Sequence, residues 1–158
     1  MRQIGVGVIA LGWMGRLHSR GFRQVTERYP ELGVSARLVA AADPVPANRE
    51  AARGLGFEHA VEDYREVLAD PQVEAVSICA PNFLHHEIAM AAIAAGKHFW
   101  IEKPMGVNAA QSRAIAQGAA AAGLVTAAGF NYRHQPQVEH ARELVRTGRL
   151  GRITNARV

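Results

Sequence analysis

The chain holds a single cysteine, Cys79, in 158 residues. That excludes an internal disulfide framework and predicts a reducing, cytoplasmic setting. Apolar stretches break within about ten residues, against the roughly 20 that a membrane-spanning helix needs, so no membrane association is expected. Met1-Arg2-Gln3 runs straight into an apolar strand pattern with no small-residue cleavage site behind it, so no secretory leader is expected. The nucleophile elbow G-x-S-x-G is absent, and so is the phosphate loop G-x-x-x-x-G-K-[ST], which removes the sequence support for an esterase or an NTPase. A metal site is not expected either. His85 and His86 are adjacent and cannot both face one ion from a helix, and no spaced carboxylate pair completes a ligand set.

Charge of one sign is not in excess everywhere. Residues 1–37 carry six arginines against two glutamates, residues 131–158 carry the same ratio, and the stretch between them is acidic. The net charge is +4. Arg142, Arg146 and Arg149 stand at helical spacings among acids, and no basic strand interleaved with aromatics appears. The pattern reads as solvated helix faces, and no nucleic-acid partner is expected. With 49% hydrophobic and 20% charged residues, the chain is one globular domain with a real core rather than a disordered or fibrous segment.

What is present is alternation. Gln3–Ile9, Arg37–Ala42, Phe57–Val61, Ala75–Cys79, His98–Ile101 and Val125–Phe130 read as short buried strands, and Ile153–Val158 as the beginning of another. Helical patterns lie between them. Met14–Glu27 has Met14, Leu17, Gly21 and Val25 on one face. Pro46–Arg53 ends at Gly54. Asp63 and Glu66 form a capping-box pattern, and Asn82 caps a helix with the stripe Leu84, Ile88, Ala91 and Ala95. Asn108 opens an alanine-rich helix with Gln111 in the box position. Pro136–Thr147 is amphipathic, with Val138, Ala141, Leu144 and Val145 expected to face inward. Strands alternating with helices imply a doubly wound parallel sheet, a Rossmann-type α/β fold, with right-handed crossovers.

Ligands in such folds bind beyond the carboxyl ends of the strands. Five strand ends carry unusual residues. Ala10-Leu11-Gly12-Trp13-Met14-Gly15 is the dinucleotide-binding turn with alanine at its first glycine. Gly12 lets the backbone approach a pyrophosphate, Gly15 lets helix and strand pack closely, and the helix start supplies amide donors. The alanine costs little if its φ stays negative. Asp43 ends the second strand and can accept from both ribose hydroxyls. It stands 28 residues beyond Gly15 rather than about 20, which the loop Arg28–Ala36 accounts for. No basic residue follows it until Arg49, so NAD is favoured, with NADP possible. The alternative for Asp43 is a turn-forming aspartate before Pro44. Ala80-Pro81-Asn82 follows the fourth strand, with His85 one helical turn on and in reach of a ribose or phosphate. Glu102-Lys103-Pro104 follows the fifth. A lysine at a crevice, beside an acid and before a proline, is a candidate acid/base group. Asn131-Tyr132-Arg133 follows the sixth, where Arg133 can hold a carboxylate, phosphate or carbonyl, or pair with an acid.

Three segments together resemble the Gfo/Idh/MocA oxidoreductase family: Ile4–His18, Ile78–Phe99 continuing into Trp100-Ile101-Glu102-Lys103-Pro104, and Gly129–Pro136. The resemblance covers essentially the whole chain. It implies a dehydrogenase that passes hydride between a nicotinamide cofactor and a hydroxyl of a sugar, an inositol or a similar polyol. By position, Ala10, Leu11, Gly12, Trp13 and Met14 would hold the pyrophosphate and Asp43 the adenosine ribose. Ala80, Pro81, Asn82, His85 and Asn131 would line the cofactor. Lys103 would sit near the nicotinamide and assist proton transfer, Glu102 would position Lys103 or the nicotinamide ribose, and Lys103 and Arg133 would meet substrate. The Lys103–Pro104 bond is a candidate cis peptide. Family enzymes carry a second α/β domain that completes the substrate site and the oligomer surface. The expectation is therefore a dinucleotide-binding domain over 1–150, with 151–158 the first strand of a missing C-terminal domain. The fragment alone would be inactive, and a homo-oligomer would form when the second domain is present. The competing reading is a stand-alone dinucleotide-binding regulatory or interaction module without catalysis.

Overall fold

The computed structural model describes residues 1–157. Six strands form one fully parallel sheet: β1 (Arg2–Ile9), β2 (Val34–Ala42), β3 (His59–Val61), β4 (Ala75–Ile78), β5 (His98–Ile101) and β6 (Thr126–Ala128). Their order is β3-β2-β1-β4-β5-β6, so the winding direction reverses between β1 and β4. That reversal opens a crevice beyond the carboxyl ends of these two strands, because the connections leave to opposite faces. Between the strands run α1 (Trp13–Arg28), α2 (Pro46–Leu55), α3 (Tyr64–Ala69), α4 (Asn82–Ala94) and α5 (Ala109–Ala121), and α6 (Pro136–Arg146) follows β6.

The carboxyl-terminal halves of β1 and β2 and most of β4 and β5 are apolar and buried because both faces are covered there. Val6, Val8, Leu38 and Ala41 pack on Phe22 of α1 and Ala52 of α2 on one face. Ile9, Val39, Val76, Ile78 and Phe99 pack on α3, α4 and α5 on the other, through Val67, Ile88, Ala92, Ile115 and Ala119. Lys97 ties the start of β5 to the loop before β4, donating from Nζ to the carbonyls of Asp70 at 2.9 Å and Val73 at 2.7 Å.

Several local expectations change. The inward face of α1 carries Gly15, Ser19 and Phe22, whereas Leu17 and Gly21 of the expected stripe are exposed. Small residues are needed where the helix lies close on the sheet, so the apolar stripe points away from it. Helix α2 continues past Gly54 and stops at Gly56, which takes φ 96°. Asp63 caps α3 through Arg65 N, and no side-chain bond from Glu66 returns to it among the described residues. Asn82 is the first residue of α4 rather than its cap, a place taken by Pro81. Asn108 does cap α5 through Gln111 N, while the Gln111 side chain reaches Val107 N instead of the cap residue.

The last helix departs most. Val138 and Val145 are exposed and only Leu144 is half-buried, because no further layer of the described chain lies over α6. Periodicity sets which face is apolar but not whether a surface exists to cover it. Residues 151–157 form no strand, and Val158 lies outside the described residues. The arginine reading holds on α6, where Arg142 pairs with Glu139 at 3.0 Å and Arg146 with Glu143 at 2.7 Å, both in solvent.

Candidate functional site

The turn after β1 is built as the glycine pattern requires, with one correction. Ala10 adopts φ 70°, a left-handed conformation that costs an L-residue roughly 1–2 kcal/mol. The two glycines behind it differ in purpose. A Cβ on Gly15 would lie 3.0 Å from the Ala10 carbonyl carbon and closer still to its oxygen, so Gly15 serves packing. Gly12 has φ −62°, which any residue adopts, and a Cβ there would meet nothing within 4 Å. Nothing inside the protein therefore requires glycine at position 12. Helix α1 starts at Trp13 with no side chain capping it, which leaves amide donors open beside Gly12. Leu11 is fully buried, so only its backbone belongs to this turn.

Asp43 closes β2 and is 4% exposed. One carboxylate oxygen accepts from Leu11 N at 2.7 Å and the other from Val45 N at 2.8 Å. Its first task is thus to lock the phosphate turn against the end of β2, the turn-forming alternative extended to a second loop. Arg49 donates to the carbonyls of Asp43 and Pro44 and so frames this end of the crevice.

The opposite half is a crevice of about 760 Å³ lined by Trp13, Met14, His18, Cys79, Ala80, Asn82, His85, Trp100, Glu102, Lys103, Asn131 and Tyr132, among others. It brings together residues from four strand ends, those of β1, β4, β5 and β6, that lie up to 119 positions apart. Asn82 Oδ1 is buried and has no hydrogen-bond partner among the described residues, so it suits a donor supplied by a ligand. Open space at Gly12, an uncapped helix start and an orphaned amide oxygen fit a long polar ligand with an anionic centre, as a dinucleotide is.

His85 lines the crevice but is 1% exposed, and its two ring nitrogens face the carbonyls of Ala80 and Pro104, each at 2.8 Å. It joins the ends of β4 and β5 rather than offering a free donor to a ribose or phosphate, which corrects the expectation for this residue. The Lys103–Pro104 bond is cis. Lys103 itself is exposed at the crevice mouth. Arg133 is exposed on the turn after β6, outside the crevice lining and with no acid paired to it among the described residues.

Sequence reading missed a polar cluster in this crevice. His18 of α1 places Nε2 3.1 Å from Glu102 Oε1 and Nδ1 2.7 Å from Ser77 Oγ. Trp100 donates its indole N–H to the same Glu102 oxygen at 3.3 Å. The Glu102 carboxylate rests on Gly129, where a Cβ would stand 2.5 Å from Oε1. Burial holds the His18 imidazole below its ordinary value, against the pull of Glu102. Burial also pushes the Cys79 thiol up to about 12. A polar residue at Ser77, inside an otherwise apolar strand, was the one local signal for this cluster. No group of three His, Cys, Asp or Glu side chains among the described residues is placed to hold a metal ion, and no helix among them is long and apolar enough to cross a membrane.

Comparison with known proteins matches this geometry. A family model described as an oxidoreductase family with an NAD-binding Rossmann fold covers residues 4–130. Levoglucosan dehydrogenase of Pseudarthrobacter phenanthrenivorans is 38% identical over 99% of the chain, and scyllo-inositol 2-dehydrogenase (NAD(+)) of Bacillus subtilis is 30% identical over 95%. The chain spans 40% and 42% of those two proteins. Among solved structures, levoglucosan dehydrogenase in complex with NADH and levoglucosan superposes with a TM-score of 0.88 at 35% identity, covering 96% of this chain and 41% of that one. An NAD binding oxidoreductase from Klebsiella pneumoniae gives 0.84 at 42% identity, covering 94% and 40%. The chain belongs to the Gfo/Idh/MocA oxidoreductase family, of which it is the NAD-binding Rossmann domain.

Proposed function

We propose that this domain is the cofactor half of an NAD-dependent dehydrogenase acting on a hydroxyl of a sugar or polyol. The observation that carries the reading is the crevice at the winding reversal, with Gly12 open, α1 uncapped and Asn82 Oδ1 unpartnered. NAD, when bound, supplies the hydride acceptor. The amides of Gly12, Trp13 and Met14 bind the pyrophosphate, and their α1 dipole end favours its charge. Asn82 Oδ1 accepts from the nicotinamide half. Asp43 holds the turn in shape and lies at the adenosine ribose, where an acid disfavours a 2′-phosphate. Lys103, at the mouth, takes the proton of the substrate hydroxyl as its carbon is oxidised, and Glu102 orders this end of the crevice. Arg133 lies outside the crevice lining and meets substrate from the rim. The dinucleotide-binding unit extends to about residue 150, and the whole protein works as a homo-oligomer in the cytoplasm.

The test is an NADH fluorescence titration of this chain. Saturable binding is expected, tighter for NADH than for NADPH, and retained in Lys103→Ala. No binding of either cofactor would overturn the reading. The competing reading, a dinucleotide sensor without chemistry, is separated by Lys103→Ala in a full-length relative-sized protein. An enzyme loses turnover there and keeps NAD affinity.

A further inference from the structure

His18, Ser77 and Cys79 have no role in the reaction as described above. Four polar side chains from three elements converge in one cluster: His18 from α1, Ser77 and Cys79 from β4 and the residue after it, and Glu102 after β5. The His18 and Glu102 side chains retain only 14% and 11% of their exposure, so the pair is largely withdrawn from water.

Donor chemistry orients the chain of bonds. A carboxylate accepts only, so the hydrogen between His18 and Glu102 sits on Nε2. Ser77 is fully buried and its hydroxyl touches only His18 Nδ1 at 2.7 Å and Cys79 Sγ at 3.5 Å. Burial favours the uncharged imidazole, so Nδ1 carries no hydrogen and accepts that of the Ser77 hydroxyl. The ring is then neutral, with one defined tautomer. Glu102 Oε1 takes two donors, from His18 and Trp100, and the Trp100 ring stands edge-on to the imidazole at 85° with centroids 5.8 Å apart. Glu102 Oε2 accepts no hydrogen bond from any described residue and borders the crevice beside Gly129. The other ionisable groups facing this space are Cys79, His85, Lys103 and Tyr132.

We propose that His18 is a positioning residue: as the neutral Nε2–H tautomer anchored by Ser77, it fixes the orientation of Glu102, the carboxylate already expected at the nicotinamide ribose, so that Oε2 is presented to the bound dinucleotide as an acceptor. This rests on the cofactor reading above. It also removes Glu102 from acid/base duty, because its other oxygen is already doubly engaged, and leaves that duty to Lys103.

Two measurements on this chain test it. In long-range ¹H–¹⁵N spectra at pH 7.5, the His18 signals, identified by their loss in His18→Gln, should show Nε2 protonated and Nδ1 bare. An Nδ1–H tautomer or a doubly protonated ring overturns the proposal. NADH and ADP-ribose, which lacks nicotinamide, are then titrated into wild type, His18→Gln and His18→Leu. His18→Leu removes the donor to Glu102 and should weaken NADH about tenfold with ADP-ribose unchanged. His18→Gln, whose amide N–H replaces Nε2–H, should restore NADH to within about threefold of wild type. Unchanged NADH affinity in His18→Leu, or an equal loss for both ligands, overturns the positioning role. If His18→Leu does not fold, failure of His18→Gln to bind NADH overturns it instead. A wild type that binds neither ligand fails the cofactor reading itself, which is a separate outcome.

Discussion

Two glycines of one turn should respond in opposite ways to the same added methyl group. In Gly15→Ala the new Cβ meets the backbone of Ala10, 3.0 Å from its carbonyl carbon and nearer to its oxygen, and 3.4 Å from Val8 Cγ1. A backbone atom cannot rotate aside, so the strand end, the turn or the helix must shift. Overpacking of this kind costs about 1–3 kcal/mol, and the upper end applies here. Helix propensity returns about 1 kcal/mol, leaving a net loss of about 2 kcal/mol. For a chain of this size that lowers Tm by about 4–8 °C. In Gly12→Ala nothing lies within 4 Å and φ is already −62°. Loss of a glycine cap costs at most about 1 kcal/mol. The methyl stands where the pyrophosphate would approach, so NADH affinity should fall at least about tenfold, or about 1.4 kcal/mol. Thermal unfolding followed by circular dichroism, with NADH titration well below both midpoints, reads both effects. The reasoning is refuted if Gly12→Ala lowers Tm as far as Gly15→Ala, or if it binds NADH as wild type does.

Ala10→Gly should raise stability by about 1 kcal/mol, since Ala10 holds φ 70°; a urea midpoint at or below that of wild type would contradict the strain. Acid should weaken the fold through His18. Its folded value lies below the ordinary 6.5, because of burial, so its contribution is full above that pH and is lost as pH falls toward the folded value. The urea midpoint should therefore drop from pH 7.5 to pH 5 in wild type and drop less in His18→Gln; equal drops would exclude His18 as the source. With its thiol pushed up to about 12 by burial, Cys79 should resist iodoacetamide at pH 8 in the native chain and react readily in urea. Rapid native labelling would show that the thiol is not shielded.

The parallel Rossmann architecture could be read from the sequence because its signals are local. Apolar runs such as Val6–Ile9 and Val39–Ala42 need two covered faces. The turn Ala10–Gly15 carries its own geometry, and Asn108 carries its own cap. The order of residues at the strand ends also pointed to the crevice, since in a doubly wound sheet every one of them arrives at the same edge. Local pattern misled where a second surface decides. The stripe of Leu17 and Gly21 faces away from the sheet because the close approach of α1 requires Gly15 and Ser19 instead. Helix α6 is amphipathic, yet no layer of the described residues lies over it. His85 sits at a helical position suited to a ligand, yet carbonyls from two separate loops occupy both of its nitrogens.

The sequence by itself determined the sheet, its winding and the edge at which chemistry is carried, because strand burial and turn shape depend on neighbours along the chain. Only the tertiary structure decided what each polar side chain at that edge is free to do. Asp43 is engaged by Leu11 and Val45, and Glu102 by His18 and Trp100, while Asn82 Oδ1 is left open. A hydrogen bond spends a specific lone pair on a specific partner, and those partners lie 32 to 84 residues away along the chain for Leu11 with Asp43 and for His18 with Glu102.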